Sequence, residues 1–123
     1  MRAKDAIGRY GESVAARHLS DAGLTIIERN WRCREGELDL IALEGDVIVF
    51  CEVKTRSSDA FGDPAEAVLG RKAARIRKLA VRWLAEQRDL GESVFWPQMR
   101  FDVVSVLRRP RGAASVVHLR GAF

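Results

Sequence analysis

Apolar and polar positions change period several times along the chain, and each change marks an element. Between Ala3 and Ala22 the residues Ile7, Tyr10, Val14 and Leu19 fall near a helical repeat. Gly23 then stands where a left-handed C-terminal cap belongs, so the spacing predicts a first helix. Gly8 and Gly11 weaken that helix in isolation. The period then shortens: LTIIERNW, ELDLIAL and DVIVFCEVK read as three strands. They are separated by RCREG and by the turn Glu44-Gly45-Asp46, as in an antiparallel meander. A second helix is expected to open at Asp63-Pro64-Ala65-Glu66 and run to about Gln87. Asp63 would cap its first N–H groups, Pro64 suits the first turn and Glu66 lies at capping-box spacing. MRFDVVSVL and SVVHL, joined by RRPRGAA, read as two further strands.

Helix, three strands, helix, two strands is the order of an α/β sandwich built around a mixed sheet. Its long helix is the natural crossover between a parallel third and fourth strand. A length of 123 residues, with no repeat or linker, fits a single domain spanning residues 1–123.

Charge enters this pattern at an unexpected place. The apolar run VIVFCEVKTR ends in Glu52 and Lys54, which by period-2 alternation share a face with Ile48 and Phe50. In ELDLIAL the same rule groups Glu37, Asp39 and Ile41 against Leu38, Leu40 and Ala42. Asp39, between two leucines, is the more deeply embedded acid, although register decides which of Glu37 and Asp39 points inward. Carboxylates held close together repel unless a proton or cation joins them, and Mg²⁺ or Mn²⁺ suits one or two carboxylates plus water and phosphate oxygens. An ammonium beside such an ion can orient the attacking water or stabilise developing charge. The competing explanation is a structural salt bridge between Glu52 and Lys54 at a strand end.

Composition narrows the field. With 47% hydrophobic and 31% charged residues the chain is of the soluble globular class. It has no run long enough to span a membrane and no apolar segment after MRAKDAIGRYGE that reads as a secretion signal, so a cytoplasmic protein is expected. Cys33 and Cys51 have neither metal-site nor disulfide spacing, and Cys51 reads as core filler. P-loop, G-x-S-x-G and H-E-x-x-H motifs are absent. The formal charge of +4 is concentrated on the second helix, where Arg71, Lys72, Arg75, Arg77, Lys78 and Arg82 face only Glu66 and Glu86. Arg71, Arg75, Lys78 and Arg82 share one side, either as a phosphate-contacting stripe or as a solvated face. Arg29, Arg32, Arg34 and Arg56 flank the acidic strands as candidate phosphate clamps or ordinary surface arginines. Arg108, Arg109 and Arg111 read as loop solubility, Trp31, Trp83 and Trp96 as core or interface residues, and His18 and His118 as structural.

Gly11-Glu12, RNWRCREGELDLIA, VFCEVKTR, FGDPAEAV, RFDVVSV and the closing GAF together resemble the YraN family of small bacterial proteins over nearly the whole chain. That family is similar to the PD-(D/E)xK nuclease superfamily, in particular to archaeal Holliday junction resolvases. The resemblance implies a restriction-endonuclease-like αβββαβ core with an extra C-terminal strand. It puts Asp39 at the superfamily aspartate, Glu52 and Lys54 at E-x-K and Glu12 at the helix acid, with Asp39 and Glu52 as ligands of Mg²⁺ or Mn²⁺. Leu38 stands where the nominal motif has proline. Glu12 also shares a helical face with Gly8, Ala15, Ala16 and Leu19, though a surface pairing with Arg9 fits it equally. The expected activity is metal-dependent hydrolysis of phosphodiester bonds in DNA, branched structures among the substrates, with RNA left open. A nucleic-acid-binding or assembly module without turnover is the alternative. Junction-cutting relatives act as homodimers, so the resemblance implies a homodimer, and no membrane partner is expected.

Overall fold

The computed structural model describes residues 3–57, 70–91 and 98–123. Helix α1 (Ala3–Asp21) is followed by strands β1 (Thr25–Cys33), β2 (Gly36–Glu44) and β3 (Val47–Arg56), helix α2 (Arg71–Asp89), and strands β4 (Gln98–Leu107) and β5 (Ser115–Leu119). The sheet runs β1-β2-β3-β4-β5. Its β3–β4 pair is parallel and the others antiparallel, so the expected meander and the helical crossover both form. Among the described residues no helix is long and apolar enough to cross a membrane.

Alternation along the central strands divides the interior between the two helices. Val49, Cys51, Val104 and Val106 pack with Ala15, Ala16 and Leu19 of α1. Ile48, Phe50 and Val103 pack with Ile76, Leu79, Ala80 and Trp83 of α2. The α1 layer is thin because its inward residues are small. A Cβ added at buried Gly11 would lie 1.7 Å from Thr55 Oγ1 and 2.8 Å from Thr55 Cβ, so the helix rests almost directly on β3. Closure of α1 follows the expected glycine cap: Gly23 adopts φ 99° and its N–H donates to the Ser20 carbonyl, while the Leu24 N–H donates to that of Leu19. Leu24 and Leu19 both enter the core, completing the hydrophobic contact of that motif.

Two sequence expectations change. Helix α2 opens at Arg71 and does not run unbroken from Asp63, because its N-cap Gly70 has φ 57° and ψ −119°, outside helical space, and makes no side-chain cap bond. Asp63, Pro64 and Glu66 lie outside the described residues, as does Trp96. Alternation in β2 also fails at Asp39: Leu38 joins Ile41 in the α2-side core, while Leu40 and Ala42 join the α1 side. The cause is visible in the pairing, since the β2–β3 ladder ends at Leu40 and Cys51 and the strands part beyond it.

Far from that opening, β4 carries a buried polar anchor. Fully buried Asp102 accepts from Arg100 Nε at 2.8 Å and Nη2 at 2.9 Å, meets His118 Nε2 at 2.7 Å and accepts from the Gly121 N–H at 3.0 Å. Burial alone would raise its pKa, yet the hydrogen bonds from His118, Arg100 and Gly121 prevail and hold it down to about 2. The Ala122 N–H donates to the Phe101 carbonyl, and Phe123 packs on the Phe101 ring, so the closing GAF is tied to β4. His118 is thus a structural residue, as expected.

These contacts set two expectations. Asp102→Ala leaves His118 without its anion and Arg100 with Glu44 alone, and lowers the unfolding free energy by about 3 kcal/mol in urea titrations. The wild-type contribution is present above the ordinary carboxyl value of 3.8 and disappears as pH falls toward about 2. Gly11→Ala costs about 1–3 kcal/mol by overpacking against Thr55, and adding Thr55→Gly recovers much of the loss in the same measurement.

Candidate functional site

The site lies where β2 and β3 separate. Past Cys51 the next strand N–H would lose its ladder partner, and the Asp39 carboxylate takes its place: Oδ2 accepts the Val53 N–H at 2.9 Å. An acidic side chain is thereby held within the sheet, as a substitute for backbone. Glu52, one residue earlier on β3, lies close enough for its carboxylate to act directly on that of Asp39. Asp39 and Glu52 therefore meet. Burial first, and then the charge of Glu52, push the Asp39 carboxyl from its ordinary 3.8 up to about 8, against the opposing effect of the Val53 hydrogen bond. The charge of Glu12 adds to the rise.

Glu12 reaches this region from the opposite helix because Gly11 lets α1 descend onto Thr55. Its carboxyl is raised by burial foremost; a hydrogen bond with the Asn30 side chain and the charge of Arg32 oppose this, while Glu37 and Glu52 add to it. Asn30 is the one described non-glycine residue with positive φ, at 51°. Left-handed backbone is tolerated best by asparagine among side-chain-bearing residues, and here that conformation accompanies a polar contact to Glu12. The surface pairing of Glu12 with Arg9 is not needed to explain the residue.

Cations approach unevenly. Lys72 Nζ stands 2.6 Å from Glu52 Oε1, which makes the helix lysine the one seated on the acid pair. Lys54, half-buried, lies opposite Ser105 in the parallel ladder. Among the described residues, therefore, the sequence-neighbour pair Glu52–Lys54 is not the ion pair that forms. Arg56 turns across the sheet, donating from Nη2 to Ser105 Oγ at 3.3 Å. Arg32 pairs with Glu37 at 3.1 Å, and Arg34 is exposed near the β1–β2 turn. On α2, Arg71, Arg75, Lys78 and Arg82 are all exposed. Arg82 grips Glu35, with Nη1 2.6 Å from each carboxylate oxygen. Arg75, Lys78, Leu79, Arg82 and Glu35 line a notch of about 250 Å³.

The donor set suits a hard divalent ion. Asp39 and Glu52 are oxygen donors whose mutual repulsion is now relieved by a proton and by the Lys72 ammonium, the same relief a metal would provide. No three Asp, Glu, His or Cys side chains among the described residues converge as a larger cage. Cys51 is not a rival centre, since burial pushes its thiol far up and leaves it protonated and inert. Trp31 and Trp83 are core residues whose Nε1 atoms donate to Glu86 at 3.4 Å and Glu28 at 2.9 Å. From the sequence Lys72 belongs with the basic residues of the second helix as a candidate nucleic-acid contact, and its pairing with Glu52 was not foreseen. Its proximity to Glu52 depends on how α2 crosses the sheet, which near-neighbour spacing does not specify.

Residues 11–106 match the uncharacterised protein family UPF0102, a span that includes Glu12, Asp39, Glu52, Lys54 and Lys72. A UPF0102 protein of Frankia alni is 63% identical over 123 residues, covering 100% of this chain and 98% of its own. One from Frankia casuarinae is 60% identical with both chains covered in full, and one from Beutenbergia cavernae is 60% identical over 121 residues, 98% of each. By this full-length likeness and by the match of its central residues, the chain belongs to the UPF0102 family.

Proposed function

We propose that the protein is a divalent-metal-dependent, endonuclease-like hydrolase of phosphodiester bonds in DNA, with branched structures among its substrates. One observation carries this reading: a half-buried aspartate and a glutamate from neighbouring strands lie close enough to raise the aspartate's proton affinity where the sheet opens, with the charge of Glu12 adding to the rise and Lys72 paired with Glu52. Asp39 and Glu52 would hold Mg²⁺ or Mn²⁺. When bound, that ion would polarise the phosphodiester and acidify a water molecule. Glu12 would support the same centre from α1. Lys54, on the strand face that carries Glu52, would orient the attacking water or stabilise charge on the phosphorane. The exposed Arg71, Arg75 and Lys78 would contact phosphates without regard to sequence, with Arg82, Arg32, Arg34 and Arg56 at the margins. A homodimer fits the likeness to junction-cutting enzymes.

A second reading is a nucleic-acid-binding module that does not turn over, in which the Lys72 ammonium serves as the lasting counter-charge of Glu52. The two readings separate in one assay. Wild type, Glu52→Gln and Lys54→Ala are incubated with linear, flapped and four-way DNA in Mn²⁺, Mg²⁺ or EDTA. Metal-dependent cutting that falls by on the order of a hundredfold or more in both variants is the expected result. Binding without cutting by any form would establish the module instead.

The state of Asp39 gives an independent expectation. In the metal-free protein its carboxyl holds a proton that the unfolded chain releases, so its contribution to stability is full below 3.8 and lost as pH rises toward about 8. Asp39→Asn keeps an acceptor for the Val53 N–H and removes this dependence. Thermal melts in EDTA should therefore show the variant more stable than wild type near pH 8, with the gap closing in acid. Mg²⁺ should raise the wild-type midpoint at pH 8 and leave the variant unmoved.

A further inference from the structure

The acid pair already has a cation supplied by the chain. Lys72 Nζ lies 2.6 Å from Glu52 Oε1, with the glutamate side chain 12% exposed and the lysine 33%. Helix stability does not explain that lysine, because the first turn of α2 has no acidic residue and its cap offers no side-chain acceptor. A positive charge at this end opposes the helix dipole. What balances it is the nearly buried Glu52 carboxylate, which would be costly to leave without a counter-charge.

Building on the metal-centre reading, we propose that Lys72 is a positioning residue that holds Glu52 in the metal-free protein and competes with the divalent ion for that carboxylate. An ammonium in contact with Oε1 and a dication on the same group repel strongly at such separations. Metal uptake therefore displaces Nζ from Oε1. The exposed start of α2 gives the side chain solvent to move into, since Arg71 and Gly70 beside it are both exposed. Displaced but still tethered, the ammonium stays at the edge of the centre, where a phosphate oxygen would be its next partner. Lys54 is left to its own role, because the ion pair with Glu52 belongs to the helix residue.

The test is calorimetric titration of MnCl₂ into wild type, Lys72→Met and Glu52→Gln, with thermal melts of each in EDTA. Methionine keeps the length of the lysine stem and removes the competing charge. Lys72→Met is expected to bind Mn²⁺ about tenfold tighter than wild type. The same variant should melt at lower temperature than wild type in EDTA, and Glu52→Gln should lose metal binding. Equal or weaker Mn²⁺ binding by Lys72→Met, with binding still abolished in Glu52→Gln, overturns the competition and leaves the metal centre standing. No uptake by wild type or Lys72→Met at millimolar Mn²⁺ overturns the metal centre itself, and the competition with it.

Discussion

The hydrogen bond from the Val53 N–H to Asp39 Oδ2 is the constraint on which the candidate site depends. Where two strands remain fully paired, each backbone group finds its partner across the ladder and needs no side chain to complete it. Here the ladder stops at Leu40 and Cys51, and a carboxylate completes the hydrogen bonding of the next accessible donor. That substitution holds Asp39 inside the sheet beside Glu52. Both the elevated proton affinity of Asp39 and the need for a nearby cation follow from it.

Asp102, fully buried, and Asp39, half-buried, show how surroundings divide structural from chemical roles. Asp102 is ringed by Arg100, His118 and the Gly121 N–H, and these partners overcome burial to keep it ionised and anchoring the C-terminal residues. Asp39 has one backbone donor, and its other close neighbours are acids, so burial and repulsion prevail. The first site is fully satisfied; the second is held in tension, the condition expected of groups that bind ions or transfer protons. The helices differ correspondingly. Small residues bring α1 close enough for the charge of Glu12 to act on Asp39, while α2 places large apolar residues in the core and pairs Lys72 with Glu52.

Much of this was readable in one dimension. The meander, the parallel crossover pair, the glycine cap of α1 and the two-faced β3 follow from periods and turn residues that act locally. Glu12, Asp39, Glu52 and Lys54 stood out because charges interrupt apolar strands or sit beside small residues. The break in alternation at Asp39 was not readable, since it arises where two strands part and one side chain replaces a backbone acceptor. Nor was the start of α2 after Gly70 readable, because only the positive φ of that glycine sets it apart from one carried inside a helix.

The amino-acid order by itself determined which faces are apolar, where elements begin and end to within a few residues, and which acids occupy costly positions. These are consequences of near-neighbour spacing. Ion-pair choice was decided by the tertiary structure: Glu52 took Lys72, twenty residues away, over Lys54 on its own strand face, and Arg82 turned to Glu35. Electrostatic partners are chosen by distance in space after packing has set the helix against the sheet, and local spacing does not specify that distance.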